Sequence, residues 1–136
     1  MHRDGPLRRF RRPRLWLAIG VAAVLAVVAV SLLPARELPQ SPFSGFDKLG
    51  HFLGYAALSA YGGMLFARMR SQSWTAAGLV ALGIGLEYTQ ALLTDSRSGD
   101  LHDAVANTLG VLAGLMSAST SPRWACLLQR LDARLP

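Results

Sequence analysis

The chain has one cysteine in 136 residues, Cys126, which excludes an internal disulfide and a multi-cysteine metal site. Charge is also scarce: 16% of residues are charged and 51% are hydrophobic, a balance that suits a small membrane protein better than a soluble domain. Acids are fewer than bases, eight against fourteen, for a net charge of +6. That excess does not mark a nucleic-acid surface. Six bases (Arg3, Arg8, Arg9, Arg11, Arg12 and Arg14) crowd before the first apolar run, and no aromatic-basic recognition pattern appears elsewhere. Such a flank belongs to an inserted helix meeting anionic headgroups, so membrane lipids are the expected partners and nucleic acid is not. Repeats are absent, and the length allows one domain.

What is present is four apolar runs. Residues 15–33 carry no charge, 49–67 contain His51, 74–93 contain Glu87 and Gln90, and 101–118 contain His102, Asp103 and Asn107. Each is near the roughly 20 residues that cross a bilayer. The sequence therefore predicts an all-α membrane bundle of four transmembrane helices over 15–118. A basic N-terminal segment, 1–14, precedes it and a short tail, 119–136, follows. No small-x-small site follows the first run, so it reads as an uncleaved span. With the N-terminus inside, eleven basic residues lie on the inner side and three on the outer, which places both termini in the cytoplasm. The expected location is the inner membrane of a bacterium, with a multi-pass topology. Trp16, Trp74 and Trp124 then map to the inner interface as an aromatic belt. In the tail, a surface helix is expected with Trp124, Leu127, Leu128 and Leu131 on its apolar side.

The polar residues are not scattered. On a helix Asp47, Lys48, His51 and Tyr55 lie within about 100° of one another. Glu87 and Gln90 fall on the last turns of the third run, while Arg97 and Asp100 fill the next connection. Asp100, Asp103, Asn107, Gly110 and Gly114 form one stripe on the fourth helix, carboxylates at one end and glycines at the other. Nearly every ionisable group bordering these three spans thus converges on the outer face. Gly110-x-x-x-Gly114 and Gly50-x-x-x-Gly54 are spacings that allow close helix approach in lipid.

Two readings of the cluster stay open at this level. Lys48 and Arg97 could neutralise Asp47, Glu87, Asp100 and Asp103 as a latch between helices, since a lone charge in lipid is costly. Alternatively, the cluster could bind or transform a ligand. His51 serves as either a hydrogen-bonded partner of Glu87 or Asp103 or a proton shuttle, whereas Tyr55 is expected to pack with its hydroxyl satisfied. His102 falls off the stripe, at the headgroup level. No recognised ligand spacing joins His51, Glu87 and Asp103, so no metal or cofactor is expected.

The blocks Asp47-Lys-Leu-Gly-His51-Phe-Leu-Gly-Tyr55, Glu87-Tyr-Thr-Gln90 and Arg97-Ser-Gly-Asp100-Leu-His-Asp103-Ala-Val-Ala-Asn107-Thr-Leu-Gly110 resemble the VanZ-like family of small bacterial membrane proteins. The similarity spans about 46–115. The family is named after a protein associated with resistance to the glycopeptide teicoplanin, so the resemblance implies a cell-envelope role without giving a reaction. Asp47, Lys48, His51, Tyr55, Glu87, Gln90, Arg97, Asp100, Asp103, Asn107 and Gly110 match family positions, and the first ten of these are the candidate ligand-binding residues.

The first functional expectation is an outward polar cluster that binds an anionic lipid, a lipid-linked wall precursor or a glycopeptide through Lys48 and Arg97. The alternative is an intramembrane enzyme acting on a lipid headgroup, with His51, Glu87 and Asp103 as catalytic candidates. A proton-coupled carrier centred on Glu87 is disfavoured, because the acids stop at mid-membrane. Oligomeric state is not legible.

Overall fold

A computed structural model describes residues 5–33, 43, 45–93 and 101–136. Among them are six helices and no strand: α1 (Pro13–Ser31), α2 (Phe46–Leu65), α3 (Met69–Leu93), α4 (Leu101–Thr120), α5 (Pro122–Ala125) and α6 (Leu127–Arg134). Pro13 opens α1, where its missing N–H and fixed φ suit a first turn. Gly45, at φ 90°, supplies the left-handed residue that starts α2. Ser121 caps α5 by accepting from the Trp124 backbone N–H at 3.4 Å, ahead of Pro122. The second and third helices begin earlier than their apolar runs, at Phe46 and Met69, because polar first turns extend both helices beyond the hydrophobic stretch.

The most extensive pairing is between α2 and α4, which run parallel. Lys48 meets Asp103 at one end, and Gly63 lies against Ala118 at the other. The seam is made of small residues. A Cβ on Gly110 would collide with the Phe52 carbonyl, and one on Gly114 would sit 2.8 Å from Ala60 N and Ser59 Cβ. At that separation Ser59 Oγ donates to the Val111 carbonyl at 2.7 Å. The glycine half of the α4 stripe therefore packs as expected. The expectation for Gly50 and Gly54 is overturned, since a Cβ on either meets nothing within 4 Å. Their place is taken by Phe52, Ala56, Ser59, Ala60 and Gly63, one helical face away.

Packed against both α2 and α4, α3 runs antiparallel to them. Its first turns meet the end of α2, where Thr75 crowds Gly62, and its last turns reach the start of α2 at His51. Tyr55, Leu58, Ala76, Leu79 and Val111 form the core of these three helices. α1 lies against this core through Ala23, Val24 and Val27. At its far end, Gln90 on α3 donates to the Ser31 carbonyl.

The opposite end is closed by both termini. Leu7 bridges to Phe66, Arg8 N–H donates to the Leu65 carbonyl at 3.0 Å, and Ala67 N–H donates to Pro6 at 2.9 Å. Asp132 on α6 accepts from Trp16 Nε1 at 3.0 Å and from the Arg11 backbone N–H. Burial would raise the Asp132 pKa, but these hydrogen bonds and the Arg12 charge outweigh it and hold the carboxyl below its ordinary 3.8. A lowered folded-state pKa keeps this tie intact above the ordinary value; it is lost only as pH falls further. Two expectations change here. Trp16 is buried as the donor to Asp132 and does not sit in a lipid-facing belt, whereas Trp74 and Trp124 are exposed. On the tail, Leu128 and Ala125 turn inward, and Trp124 and Leu131 remain exposed.

Among the described residues, α1 is the one helix long and apolar enough to cross a membrane by length and composition. The apolar runs of α2, α3 and α4 are interrupted by the polar groups that they turn toward one another. If the α2–α4 seam sets the fold, Gly114→Leu should destabilise the detergent-purified protein by about 1–3 kcal/mol or more through overpacking. Gly54→Ala should leave it unchanged or slightly more stable. Thermal unfolding of the two variants beside the parent chain checks both.

Candidate functional site

Asp47, His51 and Tyr55 follow one another at four-residue intervals on α2, with Lys48 alongside, so one helix face presents all four. On α4, Asp103 and Asn107 are likewise one turn apart. The parallel seam places these two faces side by side, because Gly110 fixes the interhelical distance within a turn of Asn107. On α3, a Cβ at Gly83 would come within 3.1 Å of Asn107 Cβ and 3.3 Å of Tyr55 Cε1. A glycine is therefore what lets α3 approach and deliver Glu87, one turn further on. Gly83 was missed by the sequence reading, although its four-residue spacing from Glu87 is the signal that would have found it.

The residues that meet form a short network. Lys48 Nζ pairs with Asp103 Oδ1 at 3.2 Å. His51 Nδ1 lies 3.1 Å from Asn107 Oδ1, and since an amide oxygen only accepts, Nδ1 is the donor. The other ring nitrogen, Nε2, faces Asp47 Oδ1 at 3.8 Å and Asp103 Oδ2 at 4.0 Å. Glu87 Oε1 stands 4.0 Å from Nδ1. These three carboxylate distances lie beyond hydrogen-bond range. The expected partner of His51, Glu87 or Asp103, is thus replaced by Asn107 as the hydrogen-bond acceptor.

Burial grades across the cluster. The Asp47 and Lys48 side chains are 50% and 44% exposed and form a lip, while Asp103, Glu87 and Asn107 form a buried floor. Tyr55 is deeper, 1% exposed, and its hydroxyl has no hydrogen-bond partner among the described residues, contrary to the expectation that it would be satisfied. Gln90 is buried too, but its amide nitrogen reaches α1 at Ser31. His102 is exposed, as expected off the stripe. Arg97 and Asp100 lie outside the described residues. A cavity of about 280 Å³ lies at the opposite end of the bundle, lined by Arg8, Gln72, Ala118 and Cys126 among others, and touches none of these residues.

Chemically, the arrangement couples a half-exposed ammonium to a buried carboxylate. It also holds an imidazole with its second nitrogen turned toward two acids. Asp47, His51 and Asp103 each offer a ligand atom within 4.8 Å of the others, a set that differs from the His51, Glu87 and Asp103 group weighed from sequence. Replacing Asn107 by Leu should strip His51 of its acceptor and destabilise the protein by about 1–2 kcal/mol. Denaturation of the purified variant measures this.

Comparison with curated proteins and with solved structures found no match. The VanZ/LLP1 family model matches residues 14–121, which contain α2 to α4, all of α1 but Pro13, and every residue of the cluster. The match covers most of the chain and agrees with the resemblance carried by the Asp47, Glu87 and Asp103 blocks: the chain belongs to the VanZ/LLP1 family.

Proposed function

We propose that this chain is a four-span protein of the bacterial inner membrane with both termini in the cytoplasm. Its outward-facing polar cluster binds the anionic group of a lipid, a lipid-linked wall precursor or a glycopeptide. The observation that carries the membrane half of this reading is the inversion of polarity across the bundle. Asp103, Asn107, Glu87, Gln90 and Ser59 are buried, while Leu53, Ile84, Leu92, Leu101, Leu109 and Met116 cover the outside. A soluble bundle hides its apolar stripe, and exposed apolar surface on this scale marks a lipid or partner contact. In hydrocarbon the polar groups must face each other, as they do here. The basic residue bias then puts the Lys48 end outside.

The binding half is supported by Lys48. A half-exposed ammonium anchored on a buried carboxylate is placed to meet an anion arriving from the headgroup layer while Asp103 keeps it in position. The competing reading is a latch, since the Lys48–Asp103 and His51–Asn107 pairs both join α2 to α4. Teicoplanin susceptibility of a host expressing the chain separates the two. Lys48→Gln should abolish any protection while the protein remains in the membrane at its normal level. Loss of the protein itself would support the latch, and full protection by Lys48→Gln would overturn binding through Lys48.

A further inference from the structure

We propose that the cavity at the Arg8 end of the bundle holds the headgroup of an anionic phospholipid, with Arg8 as the cationic contact for its phosphate. The cavity lies between the N-terminal segment, the α2–α3 connection, the end of α4 and α5. It shares no residue with the Lys48 cluster, and only its assignment to the inner leaflet rests on the orientation proposed above.

Charge is the first observation. A guanidinium stays protonated in proteins, and one drawn out of water without a counter-ion is costly. Arg8 is partly buried and pairs with no carboxylate among the described residues. Its side chain gives one hydrogen bond, a long one of 3.4 Å to the Gly63 carbonyl, and Nε has no partner. Gln72, also on the cavity wall, donates to the Phe66 carbonyl at 2.9 Å and the Gly63 carbonyl at 3.4 Å, and its Oε1 receives nothing. Two of the three buried side-chain atoms without a partner among the described residues thus belong to this wall. The surroundings carry the same sign. Arg70 and Arg123 are exposed beside the lining residues Met69 and Pro122. Asp132, the one described acidic side chain at this end, is buried and bonded to Trp16 and Arg11. A net anion is favoured here over an ammonium headgroup.

The helix surface beside the cavity points to a lipid as the source of that anion. Leu112, Met116 and Ser119 follow at four- and three-residue spacings on α4, so they share a face. Leu112 and Met116 are exposed and Ser119 lines the cavity, which brings an apolar surface up to its edge. Met69, both exposed and lining, extends that edge on α3. The volume of about 280 Å³ falls below the roughly 300–1,000 Å³ that encloses a drug-sized ligand. It admits a headgroup and leaves the acyl chains against the helices. A phosphodiester suits a guanidinium, and a headgroup hydroxyl supplies the donor that Gln72 lacks. Phosphatidylglycerol has both.

Cys126 lines the cavity, so its thiol reports on this site and not on the Lys48 cluster. The full chain, purified and delipidated in a maltoside detergent, is treated with N-ethylmaleimide. Dioleoylphosphatidylglycerol, dioleoylphosphatidylcholine or inorganic phosphate is added at matched concentrations. Phosphatidylglycerol should slow Cys126 labelling roughly fivefold or more, and the other two should leave it unchanged. Arg8→Gln should raise the phosphatidylglycerol concentration that gives half protection by roughly fivefold or more. Ser119→Phe, which fills the cavity from an exposed position and keeps every base, should do the same. It decides the matter alone if Arg8→Gln does not fold. Labelling that phosphatidylglycerol does not slow, or that phosphatidylcholine or phosphate slows equally, would overturn the proposal. Unchanged half protection in Ser119→Phe, or in a folded Arg8→Gln, would do so too. The readout uses neither orientation nor teicoplanin susceptibility, so this site and the Lys48 reading fail separately.

Discussion

The close parallel contact of α2 with α4 is the constraint from which the rest of the structure follows. Gly110, Gly114 and Ala118 leave no room for larger side chains against Phe52, Ala56, Ala60 and Gly63, so the two backbones run nearly in contact. In lipid, where apolar side chains gain little by leaving their surroundings, such packing is a main source of helix association. Because the helices are parallel and in close register, their first turns are also side by side. Lys48 and His51 then have no choice but to meet Asp103 and Asn107. Steric smallness along the seam becomes electrostatic proximity at its end.

That proximity also explains why buried charge is tolerated. Asp103 is nine-tenths covered, but it has Lys48 on one oxygen and His51 near the other. Asn107, buried in the seam, fixes the imidazole through the only role an amide oxygen can take. Glu87 arrives from α3 because Gly83 lets that helix come close. The other end of the bundle uses a different device. There Asp132 gathers Trp16 and the Arg11 backbone, so the N-terminal segment and the C-terminal helix brace each other.

Much of this was legible in the chain itself. The Asp103-Asn107-Gly110-Gly114 stripe is buried along its whole described length, because a single helix face with acids and glycines has few places to go. The convergence of Asp47, Lys48 and His51 on that stripe also followed from spacing. Gly50 and Gly54 misled, since a small-xxx-small spacing says that a helix can approach closely but not which face does so. Trp16 misled for a related reason. Its position suggests the membrane interface, but its indole N–H found a carboxylate 116 residues away, and no local pattern encodes that pairing. The Tyr55 hydroxyl and the choice of Asn107 over Glu87 as the acceptor for His51 depend on tenths of an ångström between helices, which periodicity does not resolve.

The central claim is that the Lys48 end of this inverted-polarity bundle faces outward across a membrane. Single-cysteine labelling tests it most directly, in a chain whose native thiol is removed by Cys126→Ser. A membrane-impermeant maleimide applied to intact cells should label Lys48→Cys at once, and Arg123→Cys only after the membrane is permeabilised. Labelling of Arg123→Cys from outside, with Lys48→Cys reached only after permeabilisation, would contradict the account.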